Sequence, residues 1–181
     1  MKFTPLALEG AYQIDIERRS DDRGYFARVF CQKEFHQVGI GQIWSQCNVS
    51  YNVSRGTLRG MHFQRPPRAD AKLVRCVQGA AFDAIVDLRR GSTTFGEWIS
   101  VILTAEKGEM IYVPHGFAHG FQTLMPNTEL LYFHSDSYSP EHEGGLHHMD
   151  PDVGIDWPLE IKALSKRDSM LPPIREIVPI L

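Results

Sequence analysis

The sequence has few cysteines and little helical periodicity, and it lacks both long apolar runs and a basic excess. Its three cysteines, Cys31, Cys47 and Cys76, are an odd number with no paired spacing. That argues against a disulfide scaffold and for reduced thiols in a cytosol. Strand-like residues flank each one, so all three are expected to be small buried hydrophobes. No apolar run reaches the ~18 residues of a membrane span. The start, Met1-Lys2-Phe3-Thr4-Pro5, lacks the apolar stretch of a secretory signal. A formal net charge of -3 offers no basic field suited to nucleic acid. Repeats, linkers and low-complexity tracts are also missing.

What remains is an ordinary globular composition. The 181 residues, 43% apolar, suit one domain spanning 1–181 with a substantial core. The best helix candidate is short, Gln32 to Val38, and stops at Gly39-Ile40-Gly41. Strand signals dominate. Ala11 to Glu17 alternates, with Tyr12, Ile14 and Ile16 on one face. Further strands are expected at Tyr25 to Phe30, Ile43 to Val49, Glu97 to Leu103, Met110 to Pro114, Gly120 to Leu124 and Glu129 to His134. Lys72 to Leu88 is the strongest stretch and reads as a hairpin turning at Gln78-Gly79. Short strands at roughly 8–12 residue spacing indicate an all-β sandwich or barrel. The chain is long for an immunoglobulin-like sandwich of ~100 residues, so a jelly roll fits better. The last 40 residues, rich in Pro, Asp and His, are expected to wrap it with loops and short helical turns.

Several runs carry a resemblance. They are Asp22-Arg23-Gly24-Tyr25-Phe26, Gln46-Cys47-Asn48-Val49-Ser50, the stretch from Arg55 through Arg59-Gly60-Met61-His62-Phe63-Gln64, Lys72-Leu73-Val74-Arg75, and Pro114-His115-Gly116-Phe117-Ala118-His119-Gly120-Phe121. Each is weak alone. Five in order are strong, joined by Tyr138-Ser139-Pro140-Glu141-His142-Glu143 and Leu164-Ser165-Lys166-Arg167-Asp168. From about Gly10 to Pro173 the chain resembles the dTDP-4-dehydrorhamnose 3,5-epimerase family. The resemblance implies a cupin-type jelly roll (a double-stranded β-helix), a homodimer, no metal and no cofactor. It implies epimerisation of a nucleotide-diphospho-4-keto-6-deoxyhexose.

The same resemblance assigns roles. Histidine is the side chain that titrates near neutrality, so His62 suits a general base, with Asp168 as its partner. Lys72 would stabilise the oxyanion, and Tyr132 would return a proton on the opposite face. Arg23, Arg59 and Lys166 would meet the diphosphate, where guanidinium gives bidentate contacts. Gln46, Asn48 and Glu143 would hydrogen-bond nucleotide or sugar, Phe26 would stack on the base, and His119 and Tyr138 would lie near the sugar. Each has a blander alternative: a satisfied core histidine, a solvated lysine or arginine, a core tyrosine. The run of matches, rather than any one residue, favours the functional reading.

Two departures stand out. Arg28 occupies the position of a family glutamate after Phe26-Ala27, exchanging an acceptor for a donor and predicting altered base recognition. The family tryptophan before the Asp-Pro step is replaced within His147-His148-Met149-Asp150-Pro151. Other readings are a 3-only epimerase, a ketoisomerase, a non-catalytic nucleotide-sugar binder and a metal cupin. The last lacks its first motif, since His62-Phe63-Gln64 offers one histidine followed by an amide. His147 and His148 are expected to point to opposite strand faces.

Overall fold

Strand alternation sets the architecture. In the computed structural model, which describes residues 1–180, the chain forms thirteen strands, one short helix and two 3-10 turns. In order these are β1 (Lys2–Pro5), β2 (Tyr12–Asp15), β3 (Arg18–Asp21), β4 (Gly24–Ala27), α1 (Gln32–Gln37), β5 (Gln46–Asn52), β6 (Leu58–Gln64), β7 (Lys72–Gln78) and β8 (Ala80–Asp87). There follow β9 (Trp98–Thr104), β10 (Met110–Val113), β11 (Phe117–Thr123), β12 (Thr128–His134) and β13 (Glu143–Gly145), with 3-10 turns at Asp168–Met170 and Ile174–Glu176. A six-stranded sheet runs β1-β2-β10-β7-β12-β5 and a five-stranded sheet runs β13-β6-β11-β8-β9. All pairings between named strands are antiparallel. The hairpin β3–β4 stands apart as its own two-stranded unit.

Three buried layers hold the sheets, one of them Ile14, Leu73, Met110 and Tyr112 of the six-stranded sheet packed against Phe35 of α1. Inside the roll, Val74, Cys76, Ile111, Val113 and Leu130 from one sheet meet Ala81, Ile85, Leu103, Phe117 and Phe121 from the other. Outside the five-stranded sheet, Phe82, Ala84 and Val86 pack under Val153, Ile155, Ile174, Ile177 and Ile180. Strand β8 is therefore buried on both faces, which explains why its residues from Ala80 to Val86 are apolar but for Asp83. The C-terminal wrapping expected from composition forms this outer layer.

The hairpin expected across Lys72 to Leu88 is not formed. Both strands exist, but β7 belongs to the six-stranded sheet and β8 to the five-stranded one. Only Gly79 lies between them, too little for a two-residue hairpin loop. The chain turns a corner there instead, with Gly79 at φ +77°. A second correction concerns the cysteines. Cys76 is buried, and burial pushes its thiol up to about 11. Cys31 is half-buried and Cys47 exposed, because Cys47 falls on the outward side of β5 while Gln46 and Asn48 face in. Helix α1 forms one residue shorter than expected. β1, β3, β6 and β13 have no counterpart in the sequence reading.

One carboxylate organises the exit from β8. Asp87 accepts hydrogen bonds from the Arg89 amide at 2.9 Å, Arg89 Nη2 at 2.7 Å, Ser92 Oγ at 2.6 Å and Thr94 Oγ1 at 2.7 Å. Burial works against its charge, but Arg89 and the hydroxyls outweigh that and hold the carboxyl at about 2, below its ordinary 3.8. The stabilisation is therefore complete above pH 3.8 and disappears as pH falls towards 2. Asp87→Asn is expected to lose about 2 kcal/mol at pH 7 in denaturant unfolding. Its gap from the parent protein should close as pH drops through that window. A gap that stays constant with pH would contradict this role.

Candidate functional site

The site begins with a β-bulge. On β11 and β6, His119 pairs with His62 and Phe121 with Arg59, so two steps on one strand match three on the other. The extra residue lets Arg59 and His62 share one face, although odd spacing would normally send them to opposite faces. Two glycines make the crowding tolerable. A Cβ on Gly60, at φ +118°, would sit 2.6 Å from Gly120 Cα and 2.8 Å from the His119 carbonyl oxygen. A Cβ on Gly120 would sit 2.5 Å from Met61 Sδ.

Between the sheets lies a cavity of about 320 Å³, within the range of small-molecule sites. The five-stranded sheet contributes Arg59, His62, Gln64, His119 and Phe121 to its lining, and the six-stranded sheet contributes Gln46, Asn48, Lys72, Tyr132 and His134. His62 and Tyr132 therefore stand on opposing walls. Register explains the second set, since β12 pairs Tyr132 with Asn48 and His134 with both Gln46 and Lys72.

His62 Nε2 lies 2.8 Å from Asp168 Oδ1, across 106 residues of sequence. Asp168 sits on the first 3-10 turn, is 4% exposed, and also accepts the Gly60 amide on Oδ2 at 3.2 Å. Burial raises its carboxyl, but His62 and the Gly60 amide outweigh that and leave it below the usual range. Since Nε2 is occupied, Nδ1 is the His62 nitrogen left for other chemistry.

Two further carboxylates serve the cavity. Asp83, fully buried on β8, lies 2.9 Å from His119 Nε2 through each of its oxygens. Burial raises its carboxyl, with His119 pulling the other way. Asp70 bonds Lys72 Nζ at 3.1 Å and His134 Nδ1 at 2.9 Å. Burial raises its carboxyl too, yet Lys72 and His134 prevail and hold it low. The Tyr132 ring meets His119 edge-on at 5.9 Å. Burial, and then the nearby Asp83 carboxylate, push its hydroxyl well above the ordinary phenol value.

At the mouth, Tyr138 donates its hydroxyl to Glu143 Oε2 at 2.9 Å and its amide to Gln46 Oε1 at 2.8 Å. Arg59 Nε donates to Asn52 Oδ1 at 2.8 Å. Thus His62, Lys72, Tyr132, Gln46, Asn48, Arg59, His119, Tyr138 and Glu143 gather at one cavity, with Asp168 behind His62. Arg23, Phe26, Arg28 and Lys166 lie outside its lining. Arg23 and Phe26 project on the exposed β3–β4 hairpin. Arg28 spends its guanidinium on Glu34 at 2.6 Å.

Sequence reasoning missed Asp70, Asp83, His134 and Gln64. Asp83 had a readable signal: one carboxylate inside the apolar run Ala81-Phe82-Asp83-Ala84-Ile85. Asp70 and His134 had none, because only strand register joins them. The orientation expected for His147 and His148 is also wrong. They lie in a loop rather than a strand, and their rings pack 4.6 Å apart. Among the described residues, no group of three or more His, Cys, Asp or Glu is placed to hold a metal ion.

Two antiparallel sheets rolled around a polar cavity define a cupin-type jelly roll. The comparisons sharpen this to a family. The model of the dTDP-4-dehydrorhamnose 3,5-epimerase family matches residues 5–176, and the chain belongs to that family. A Sinorhizobium fredii protein named dTDP-4-dehydrorhamnose 3,5-epimerase is 43% identical over 180 residues, covering 98% of this chain and 91% of its own. A Streptomyces niveus protein named dTDP-4-dehydrorhamnose 3-epimerase is 40% identical over 169 residues, covering 93% and 81%. The solved structure of a Legionella pneumophila dTDP-6-deoxy-D-glucose-3,5-epimerase with dTDP-4-keto-L-rhamnose superposes with a TM-score of 0.92 at 35% identity, covering 98% of this chain and 94% of its own.

The bulge gives a test independent of the reaction. Gly60→Ala is expected to lose about 2 kcal/mol through strain at positive φ and the clash with Gly120, read by thermal or denaturant unfolding. Parent-like stability would show that β6 and β11 do not approach so closely.

Proposed function

We propose that this chain is an isomerase that inverts C3 and C5 of a nucleoside-diphosphate 4-keto-6-deoxyhexose. The observation that carries the reading is one cavity with a carboxylate-bound imidazole on one wall and a phenol on the other. Both carbons flank the C4 ketone, so each carries a hydrogen that a base can remove to give an enolate. His62 takes that proton on Nδ1 while Asp168, on Nε2, fixes the tautomer and stabilises the imidazolium. The Lys72 ammonium stabilises charge on the ketone oxygen, a contribution of ~3 kcal/mol for such groups elsewhere. Tyr132 returns a proton from the opposing wall, and the centre is inverted.

Arg59, His119, Gln46, Asn48, Tyr138 and Glu143 hold the sugar and its diphosphate in this reading. Thymidine is the favoured nucleoside, because the family and the relatives described above carry dTDP in their names. The expectation of a different base rested on Arg28, whose guanidinium is engaged by Glu34. Inversion at C3 alone is the second reading, favoured by the relative named as a 3-epimerase.

Arg23 and Phe26 bear on assembly. Both sit on a hairpin outside the cavity, and exposed Val49, Tyr51 and Val53 mark β5, an edge of the six-stranded sheet. A homodimer whose second copy brings its hairpin to the cavity mouth would give Arg23 the diphosphate and Phe26 the base. Apolar side chains along a free sheet edge support that arrangement.

Proton exchange in deuterated water, followed by NMR, tests the chemistry. His62→Asn is expected to slow exchange beside the ketone by 10²-fold or more, on the scale of ~10²–10⁴ for general base catalysis. Undiminished exchange would remove His62 from its role. Tyr132→Phe is expected to impair inversion more than exchange. Equal loss of both would reduce Tyr132 to packing.

A further inference from the structure

Two carbons flank one ketone, and each inversion needs a proton delivered to the face opposite His62. Beside Tyr132 stands a second ring equipped for that. His134 lies two residues further along β12, so both side chains leave the strand towards the cavity. Their rings stack, with centroids 5.9 Å apart and planes 18° from parallel. His134 Nδ1 is fixed by Asp70 Oδ2 at 2.9 Å, and Asp70 is only 6% exposed. His134 lines the cavity, and among the described residues its Nε2 has no hydrogen-bond partner.

The arrangement repeats on the six-stranded sheet what His62 and Asp168 form on the five-stranded one. In each, a buried carboxylate anchors one ring nitrogen and leaves the other open. If Asp70 served only to hold Lys72, one hydrogen bond would suffice and the second imidazole would be unnecessary.

We propose that His134, oriented by Asp70, is a second proton donor of the reaction, serving one carbon beside the ketone while Tyr132 serves the other. The pair would thereby set whether one centre or two are inverted. This rests on the epimerase reading above. At the carbon concerned, His62 removes the proton, and the C–H electron pair passes into the enolate. As the C=O bond re-forms, that carbon takes the Nε2 proton of the His134 imidazolium. His62 is left as imidazolium and His134 as neutral imidazole. Water then takes a proton from the first and supplies one to the second.

The test uses the full chain, dTDP-4-keto-6-deoxyglucose and deuterated water, with products counted by NMR. The unaltered protein is expected to give doubly inverted product. His134→Gln should shift the ratio of doubly to singly inverted product at least tenfold towards single inversion, while deuterium still enters both carbons through His62. His134→Thr, which cannot reach Asp70, should shift it in the same direction, and Asp70→Asn should do so less strongly. A merely structural pair would slow both inversions together and leave the ratio alone. An unchanged ratio in the folded variants overturns the proposal. So does single inversion by the unaltered protein, which leaves the epimerase reading standing. If the unaltered protein takes up no deuterium, the epimerase reading itself fails, and this inference with it.

Discussion

The site depends on how closely β6 and β11 approach at Gly60 and Gly120. There the two backbones leave no room for a Cβ on either side. That contact permits the bulge which turns Arg59 and His62 onto one face. It also aims the Gly60 amide at Asp168, so the carboxylate that holds His62 is itself held by the bulged strand. Without this contact, regular alternation would carry His62 away from the cavity whenever Arg59 faced it. The placement of Arg59 and His62 at the cavity is thus a consequence of local backbone crowding rather than of any single polar contact.

The second organising feature is electrostatic. Three histidines at the cavity each meet a buried carboxylate: His62 with Asp168, His119 with Asp83 and His134 with Asp70. Buried charges are tolerated only when paired and hydrogen-bonded, and removing one partner leaves the other exposed to the full desolvation penalty. The pairs also behave differently. Asp168 and Asp70 are held low by their partners, whereas complete burial drives Asp83 up. The Asp83 pair consequently suits a fixed structural support next to Tyr132, while His62 and His134 face one another from the two sheets. An apolar core would be cheaper to build, so the retention of three such pairs around one cavity points to chemistry.

Much of the architecture was legible because it follows from local pattern. Period-two alternation located β2, strand-like composition located β9, β10 and β12, and glycine marked the end of α1. The largely apolar run of β8 was visible, but its meaning was not. It is buried on two faces, and nothing local says that the chain changes sheets at Gly79 after β7. Strand pairing is a non-local property, and this is why a corner was read as a hairpin. The same reason hid Asp70 and His134, which meet only because β7 and β12 are neighbours in a particular register. His62, Lys72, Tyr132 and Asp168 were nominated by resemblance to a family, not by spacing. Spacing alone would have left each as an ordinary core or surface residue. The exposed Cys47 was misread because flanking residues report that a strand exists, not which of its faces is wet.

The most direct measurement is the structure of this protein with a non-reacting analogue of its 4-keto sugar nucleotide. The complex is expected to show a sugar ring lying between the walls, with one carbon beside the ketone about 3–3.5 Å from His62 Nδ1, the separation of a near-attack geometry, and the Tyr132 hydroxyl on its other face. An analogue bound with His62 and Tyr132 on the same side of the ring, or with the ketone outside the cavity, would contradict it.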